Sequence, residues 1–390
     1  MKRVGLVTPF FLPQIGGANR YCFELAKALA GKGVEVHLFS TPGALADPAY
    51  KLYPILTLDL RKDLKLLKSY SMDVWHSLFF YYAPLALFKP NVFVTAHGDD
   101  CFSQQVKMLC PGTRVLERHL MWRLPAGVRR ALKGCLTRFE WGVNYLFDFF
   151  SLFFVRRIIT VSGFTRARLG RRFPPARSKI SVIPPGVSSG FFGAAGAQSA
   201  APFFLTVARV DESDRIKNIH SVILALAELK DSYAFEYVIV SGNVYGSYRS
   251  ELESLISEKN LKDRVRIESR ISDQELEEYY RRASLFILAP YAEAENFEGF
   301  GIVFLEANAS GVPVLTSKEG GMADYVIEGL NGFYVEAPTA LGIKAALSKF
   351  LNGSIRFDRQ RIKTCPEKFR WTHIADRVLD VYRQHGSSRS

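Results

Sequence analysis

The stretch ENFEGFGIVFLEANASG, residues 295–311, sets Glu298 and Glu306 eight residues apart in a run dominated by glycine, aromatic and aliphatic side chains. On one continuous helix, eight residues span about 12 Å and rotate about 80° away from a shared face. The two carboxylates share a site more readily if Glu298 lies in a loop and Glu306 lies one turn inside the helix that follows. Gly299-Phe300-Gly301 suits such a loop, because glycine lets backbone approach a ligand closely. The unsatisfied N–H groups at a helix start attract an anion. A carboxylate accepts hydrogen bonds from the hydroxyls of a vicinal diol. The stretch therefore suits a ligand carrying both sugar and phosphate. Spacing alone is equally met by a capped surface helix with two solvated glutamates.

Strand and helix signals alternate on either side of this stretch. Upstream, FFLTVAR (203–209), EYVIVSG (236–242), RVRIES (264–269) and SLFILAP (284–290) read as buried strands. Ile219, Val222, Ile223 and Leu226 mark a helix between the first two, and YRSELESLISEKN (248–260) reads as another. Ser272 and Glu275 form a capping-box pattern ahead of a further helix. VPVLTSK (312–318) and GFYVE (332–336) continue the series downstream. The N-terminal half behaves alike: RVGLVTPF (3–10), VEVHLFS (34–40), DVWHSL (73–78) and VFVTAHG (92–98) are strands. Cys22, Leu25, Ala26 and Leu29 form a helical stripe, closed by Gly31 and Gly33. This alternation, over 390 residues, predicts an α/β protein of two doubly wound, Rossmann-like domains facing across a cleft. The Pro/Gly/Ala/Ser-rich run at 182–202 reads as the link between them. Ligands of such sheets bind at the carboxyl ends of strands, so polar residues just after strands are the candidates.

Arg209 ends one such strand and Lys217 follows eight residues later. Together they suit a diphosphate, Arg as a fork and Lys as a point charge, although surface ion pairs would equally account for them. Gly16-Gly17 follows the first strand without a complete GxGxxG pattern, so it is either a plain turn or a loop pressed against a phosphate or sugar. His97 ends a strand and faces the same cleft, or is structural. Asp99 and Asp100 are adjacent carboxylates, a poor arrangement for chelation, and no other metal cluster is evident. Five scattered cysteines, Cys22, Cys101, Cys110, Cys135 and Cys365, contain no CxxC pair, which disfavours a disulfide scaffold or zinc knuckle and fits a reducing compartment. The opening MKRVGLVTPFF lacks a signal-peptide pattern, and no run of eighteen apolar residues predicts a spanning helix.

Taken together these motifs resemble family 4 glycosyltransferases. FEGFGIVFLEANASGVPV (297–314) is similar to their E-x7-E segment. PQIGGANRYCFELAKAL (13–29), VTAHG (94–98), TVSGFTR (160–166), VIPPGV (182–187), VARVDESDRIKN (207–218), GGMADYVIEGLNGFYV (320–335) and WTHIADRVLDVYR (371–383) fall in the family's order. The resemblance covers nearly the whole chain except about 100–155. It implies the GT-B fold: a Rossmann-like acceptor-side domain over 1–186, a nucleotide-sugar domain over 187–372, and a closing helix over 373–390 that crosses back to the first domain.

It further implies transfer of a hexose, mannose-type for preference, from a nucleotide-diphosphate sugar such as GDP-mannose to a glycan or lipid-linked acceptor. Anomeric configuration would be retained, and neither metal nor cofactor is required. Arg209 and Lys217 match the diphosphate-binding pair, with the Gly16-Gly17 loop beside the phosphate. Glu306 matches the ribose ligand. Glu298, Phe300, Gly301 and Ile302 match the donor-sugar segment, His97 lines the acceptor–donor junction, and Arg270 lies beside the base. His97 and Glu298 are the expected catalytic residues. The chain departs from the family's common pattern at Arg215, an extra cation between Arg209 and Lys217, and at Gly163, Ser188 and Arg270.

A basic and aromatic segment, 101–172, includes the stretch that the resemblance leaves out. Residues 114–172 hold 13 Lys and Arg against 3 Asp and Glu, a surplus that is most of the chain's net charge of +13. Arginines interleaved with Trp, Phe, Leu and Tyr suit an amphipathic helix on an anionic membrane surface, and so a cytoplasmic protein peripheral to the membrane. A packed helical pair with a solvated basic face fits as well. Nucleic acid would also attract Arg with aromatics, but no binding-module motif is present. The competing functional class is a GT-B scaffold without activity, acting as a basic membrane- or nucleic-acid-binding protein. The joint presence of Arg209, Lys217, Glu298 and Glu306 disfavours it.

Overall fold

The computed structural model describes residues 2–13, 16–101, 125–193, 201–242 and 245–386. Cys110 and the part of the basic segment at 102–124 lie outside the described residues.

Two all-parallel sheets organise the chain. The first joins β1 (Arg3–Val7), β2 (Glu35–Phe39), β3 (Lys51–Tyr53), β4 (Val74–Ser77), β5 (Val92–Ala96), β6 (Arg157–Thr160) and β7 (Ile180–Val182) in the order β3-β2-β1-β4-β5-β6-β7. The second joins β8 (Phe203–Val207), β9 (Glu236–Ser241), β10 (Val265–Ser269), β11 (Leu285–Ile287), β12 (Val314–Thr316) and β13 (Gly332–Tyr334) in the order β10-β9-β8-β11-β12-β13. The strand order reverses between β1 and β4 in one sheet and between β8 and β11 in the other, and such switch points open crevices at the carboxyl edge. The sequence pattern marks every strand except β3, β6 and β7. β3 and β7 are edge strands whose residues are mostly half-exposed, and β6 offers only the pair Ile158-Ile159 behind two arginines, so none reads as a buried apolar run.

Among the described residues the helices are α1 (Gly17–Gly31), α2 (Leu60–Leu67), α3 (Ala126–Phe154), α4 (Gly163–Arg172), α5 (Ile219–Ala227), α6 (Ser247–Glu258), α7 (Asp273–Arg282), α8 (Ile302–Ala309), α9 (Ala340–Leu351), α10 (Arg359–Thr364) and α11 (Trp371–His385). In α1 the buried set includes Cys22, Leu25, Ala26 and Leu29, the predicted stripe. The helix starts five residues before that stripe, so Gly17 is its first residue rather than part of a loop. In α5 the predicted Ile219, Val222, Ile223 and Leu226 are all buried. At the start of α7, the Glu275 N–H donates to Ser272 Oγ, and the Glu275 carboxylate accepts from the Ser272 N–H at 2.7 Å. These reciprocal bonds satisfy two donors that the helix leaves open.

The closing helix α11 belongs to the first core. Ile374, Ala375, Val378, Leu379 and Tyr382 are buried among the side chains of β1, β4, β5 and α1. The Tyr382 hydroxyl hydrogen-bonds His76 Nδ1 at 2.5 Å, and His76 Nε2 bonds Thr95 Oγ1 at 2.8 Å. Burial, with neighbouring His97, pushes His76 down to about 3, so this buried imidazole is neutral. The two segments that pass between the domains are stitched together, the Val187 N–H donating to the Phe369 carbonyl at 2.8 Å.

Candidate active site

A cleft of about 720 Å³ lies between the two switch points. Its first wall carries Gly16, Gly17, Phe79 and His97, from the carboxyl ends of β1, β4 and β5. Its second wall carries Arg209, Asp214 and Lys217, after β8, and residues 295–303, after β11. The amino ends of α1 and α8 converge here: a Cβ on Gly17 would lie 3.5 Å from Ile302 Cγ2. Gly301 caps α8 at φ +81, a left-handed conformation that glycine adopts without penalty.

The two domains touch through bare backbone. Gly98 has φ +145, and a Cβ there would lie 2.9 Å from Gly299 Cα. A Cβ on Gly299 would meet the His97 carbonyl oxygen at 1.8 Å. Around this contact α4 docks on the second domain. Arg168 donates to the carbonyls of Glu293 and Ala294 at 2.7 and 2.8 Å, and its guanidinium lies 4.6 Å from the Phe297 ring centroid. The Gly163 N–H donates to the Asp324 carboxylate, so an acidic residue at 163 would face a like charge. Phe297 leaves its own domain and buries in the first core, a burial that contributes roughly 1.5–3 kcal/mol while the domains stay together.

The charged residues form a connected set. Asp214 is buried, and its Oδ1 accepts from Arg209 Nη2 at 3.1 Å, holding a half-exposed guanidinium over the cleft. Asp214 Oδ2 has no hydrogen-bond partner among the described residues, and burial pushes the carboxyl above its usual range against the pull of Arg209 and Lys217. Lys217 is ion-paired with Glu298. Burial works against its charge, but Glu298 and Asp214 outweigh that penalty and raise its pKa. Arg215 turns away from the cleft: it pairs with Glu212 and Glu251 and lies 4.8 Å from the Tyr248 ring centroid. The extra cation of this stretch is thus an external clamp on α6. Asp214 is not among the sequence-predicted residues, although a carboxylate between two cations is a signal for it.

His97 Nε2 lies 2.8 Å from the Leu78 carbonyl oxygen. A carbonyl only accepts, so Nε2 carries the proton and a neutral ring holds its lone pair on Nδ1. Tyr21, edge-on, and Phe79, tilted, flank the ring at 4.7 and 5.0 Å between centroids. Asp100 organises this loop, its Oδ1 accepting from the N–H groups of His97 at 2.8 Å and Gly98 at 3.0 Å. Among the described residues no group of His, Cys, Asp or Glu is arranged to hold a metal ion.

Of the sequence-predicted residues, Glu306 and Arg270 lie outside the lining. Glu298 lies in the loop and Glu306 at the fifth position of α8, as the spacing argument requires. Glu306 is behind the wall, 7% exposed, and accepts from the Tyr280 hydroxyl at 2.8 Å. Burial pushes its carboxyl up to about 7, against the hydrogen bond from Tyr280 and the charge of Arg20. Arg20, on α1, crosses to Asp273 at the start of α7 at 2.9 Å and also pairs with Glu24 at 3.4 Å. Ser188 donates to Glu24 at 2.7 Å. Phe300 is buried in the second domain against Tyr325 and Phe369, so only its backbone serves the cleft wall. Arg270 is exposed with φ +58, a conformation glycine adopts more readily than arginine, and it lies outside the cleft lining.

Comparison with known proteins gives one family model for each half: Glycosyltransferase Family 4 matches residues 15–190, and Glycosyl transferases group 1 matches residues 192–365. A GDP-mannose-dependent alpha-(1-6)-phosphatidylinositol monomannoside mannosyltransferase of Mycobacterium tuberculosis is 24% identical over 423 residues, covering 100% of both chains. A D-inositol 3-phosphate glycosyltransferase of Streptomyces avermitilis is 25% identical over 404 residues, covering 94% of this chain and 82% of that protein. Among solved structures, sucrose-phosphate synthase from Thermosynechococcus elongatus superposes with a TM-score of 0.72 at 21% identity, covering 98% of this chain and 99% of that one. With a family model on each half and a likeness of fold over the full length, the chain belongs to the family 4-like glycosyltransferases, and its two facing parallel sheets are the GT-B fold.

Proposed function

We propose that this protein is a retaining, metal-independent glycosyltransferase that moves a hexose of the mannose type from a GDP-sugar to a glycan or lipid-linked acceptor. The observation that carries the reading is the meeting, in one cleft, of Arg209 and Lys217 with Glu298 and the amino ends of α1 and α8. The name of the mycobacterial relative supports GDP-mannose as the donor.

In this reading Arg209, steadied by Asp214, and Lys217 flank the diphosphate, while the helix ends offer it N–H groups. Glu298 accepts from hydroxyls of the donor sugar and Glu306 from the ribose, with Arg270 beside the base. The bond between the anomeric carbon and the diphosphate oxygen breaks as the acceptor oxygen bonds to the same face of that carbon. The acceptor's proton passes to the departing phosphate oxygen. Negative charge grows on the leaving diphosphate, where fixed cations and N–H dipoles stabilise it most in the transition state. His97 lines the junction where acceptor and sugar meet.

A melting-temperature screen of GDP, UDP, ADP and their sugars, followed by transfer assays with Glu298→Ala, tests the reading. The preferred nucleotide stabilises the native state by mass action, about 2.7 kcal/mol at a hundredfold excess over Kd. A screen in which no nucleotide raises the melting temperature, or a Glu298→Ala variant with undiminished transfer, refutes it.

A further inference from the structure

Helix α3 presents an outer face that no described residue covers. A surface helix ordinarily pairs an apolar inner face with a polar outer one. The inner face here is conventional: Leu152 is buried, and Tyr145 stacks on Phe173 at 5.2 Å between ring centroids. Yet Leu146 (53% exposed), Phe150 (57%), Phe153 (52%) and Phe154 (61%) point outward from the same turns, and Phe139 (61%) continues the row. At about 100° per residue, Phe139, Leu146, Phe150 and Phe153 fall within about 60° of arc. Four of these large apolar side chains are aromatic, and a patch of this kind marks an interaction surface.

The margin of the stripe is cationic. Arg138 lies about 90° round the helix from the middle of the row and Arg156 just beyond its last residue, both exposed, within the segment whose 13 basic residues face 3 acidic ones. Lys179, just before β7, ties down the helix's carboxyl end by donating to the carbonyls of Leu152, Phe153 and Val155 at 3.0, 2.6 and 3.0 Å. We infer that this face of α3 docks on an anionic lipid bilayer, its phenylalanines entering the boundary between headgroups and acyl chains and its cations meeting lipid phosphates. Charge selects this occupant. A second copy packed two-fold on the same face would set one basic margin against another. Residues 102–124 carry Lys107, Arg114, Arg118 and Arg123 against Glu117, the same sign again. No helix among the described residues is long and apolar enough to cross a membrane, so the contact is one of lying on the surface.

Flotation of the full-length protein with vesicles of neutral phosphatidylcholine, or of phosphatidylcholine with about 30% phosphatidylglycerol, tests this. The expected result is binding to the anionic vesicles, weakened by salt and by Arg138→Gln, and reduced about tenfold or more in a variant joining Phe150→Glu and Phe153→Glu. That variant should melt at the wild-type temperature, because the replaced side chains already face solvent. Equal binding by wild type and the double variant overturns the inference, as does no binding to anionic vesicles at low salt. A dimer that the double variant dissociates would assign the face to a second copy. A large loss of melting temperature would assign it to the chain's own residues.

Discussion

Gly299→Ala offers the sharpest test of how the two domains cooperate. The new methyl would sit 1.8 Å from the His97 carbonyl oxygen, 2.9 Å from its carbon and 3.2 Å from Gly98 Cα. Ordinary contact begins near 3.4 Å, so the facing backbone must withdraw by about 1.6 Å. Neither side can yield through a rotamer, since both are main chain. Gly299 itself lies outside the positive-φ region, so alanine strains no dihedral there and the effect is purely one of contact. The withdrawal moves His97 and the first wall away from Glu298 and Lys217. A misplacement of about 1 Å costs on the order of a hundredfold in rate, or about 2.7 kcal/mol in the barrier. The expected outcome is therefore a kcat lowered about a hundredfold. Nucleotide affinity, measured by calorimetry, should stay within about threefold, because the diphosphate cations belong wholly to the second domain. A kcat within twofold of wild type would refute the closure argument. A loss appearing entirely as weaker nucleotide binding would refute it too, by assigning Gly299 to the donor pocket instead.

Three further outcomes follow from the same geometry. Glu306, with a pKa raised from 4.5 to about 7, lends stability that is fully present below about pH 4.5 and lost as pH rises through 7. Glu306→Gln keeps an acceptor for Tyr280 but removes that titration. In urea melts the variant should gain on wild type by roughly 3 kcal/mol between pH 5 and pH 8, and a pH-independent difference would contradict the assignment. Arg215→Ala should leave kcat/KM for the donor within about twofold, because its partners lie outside the cleft; a tenfold rise in donor KM would return it to the diphosphate site. Gly142→Ala, in the interior of α3 with none of the described residues within 4 Å of the new methyl, should raise stability by about 1 kcal/mol in thermal melts; destabilisation would mean that this face of the helix is packed.

Local chemistry was legible from the residues alone. The α1 stripe, the Ser272–Glu275 box and the division of Glu298 and Glu306 between loop and helix all depend on neighbours within a few positions. The carboxyl-edge rule likewise brought Arg209 and His97 to one cleft. What escaped depends on partners far along the chain. The contact between Gly98 and Gly299 joins glycines with no side chain to pattern, and Arg168 finds the Glu293 carbonyl 125 residues away. Arg215 lies between two cleft cations in sequence, and only its ion pairs with Glu212 and Glu251 reveal that it faces outward. Burial of Glu306 behind the cleft wall was hidden for a related reason. Its apolar neighbours in sequence fit a buried helix and a helix with one solvated edge equally well, and Tyr280, which receives it, comes from α7.

The return of α11 to the first core sets an order for the chain's own assembly. On the ribosome, every strand of the second sheet has emerged by Tyr334, whereas the first sheet still lacks Ile374, Val378 and Tyr382 from its packing. The part synthesised first is thus completed last. A released chain truncated before Trp371 should resist protease in its second half while its first half is still cut, the reverse of the usual amino-to-carboxyl sequence of domain folding.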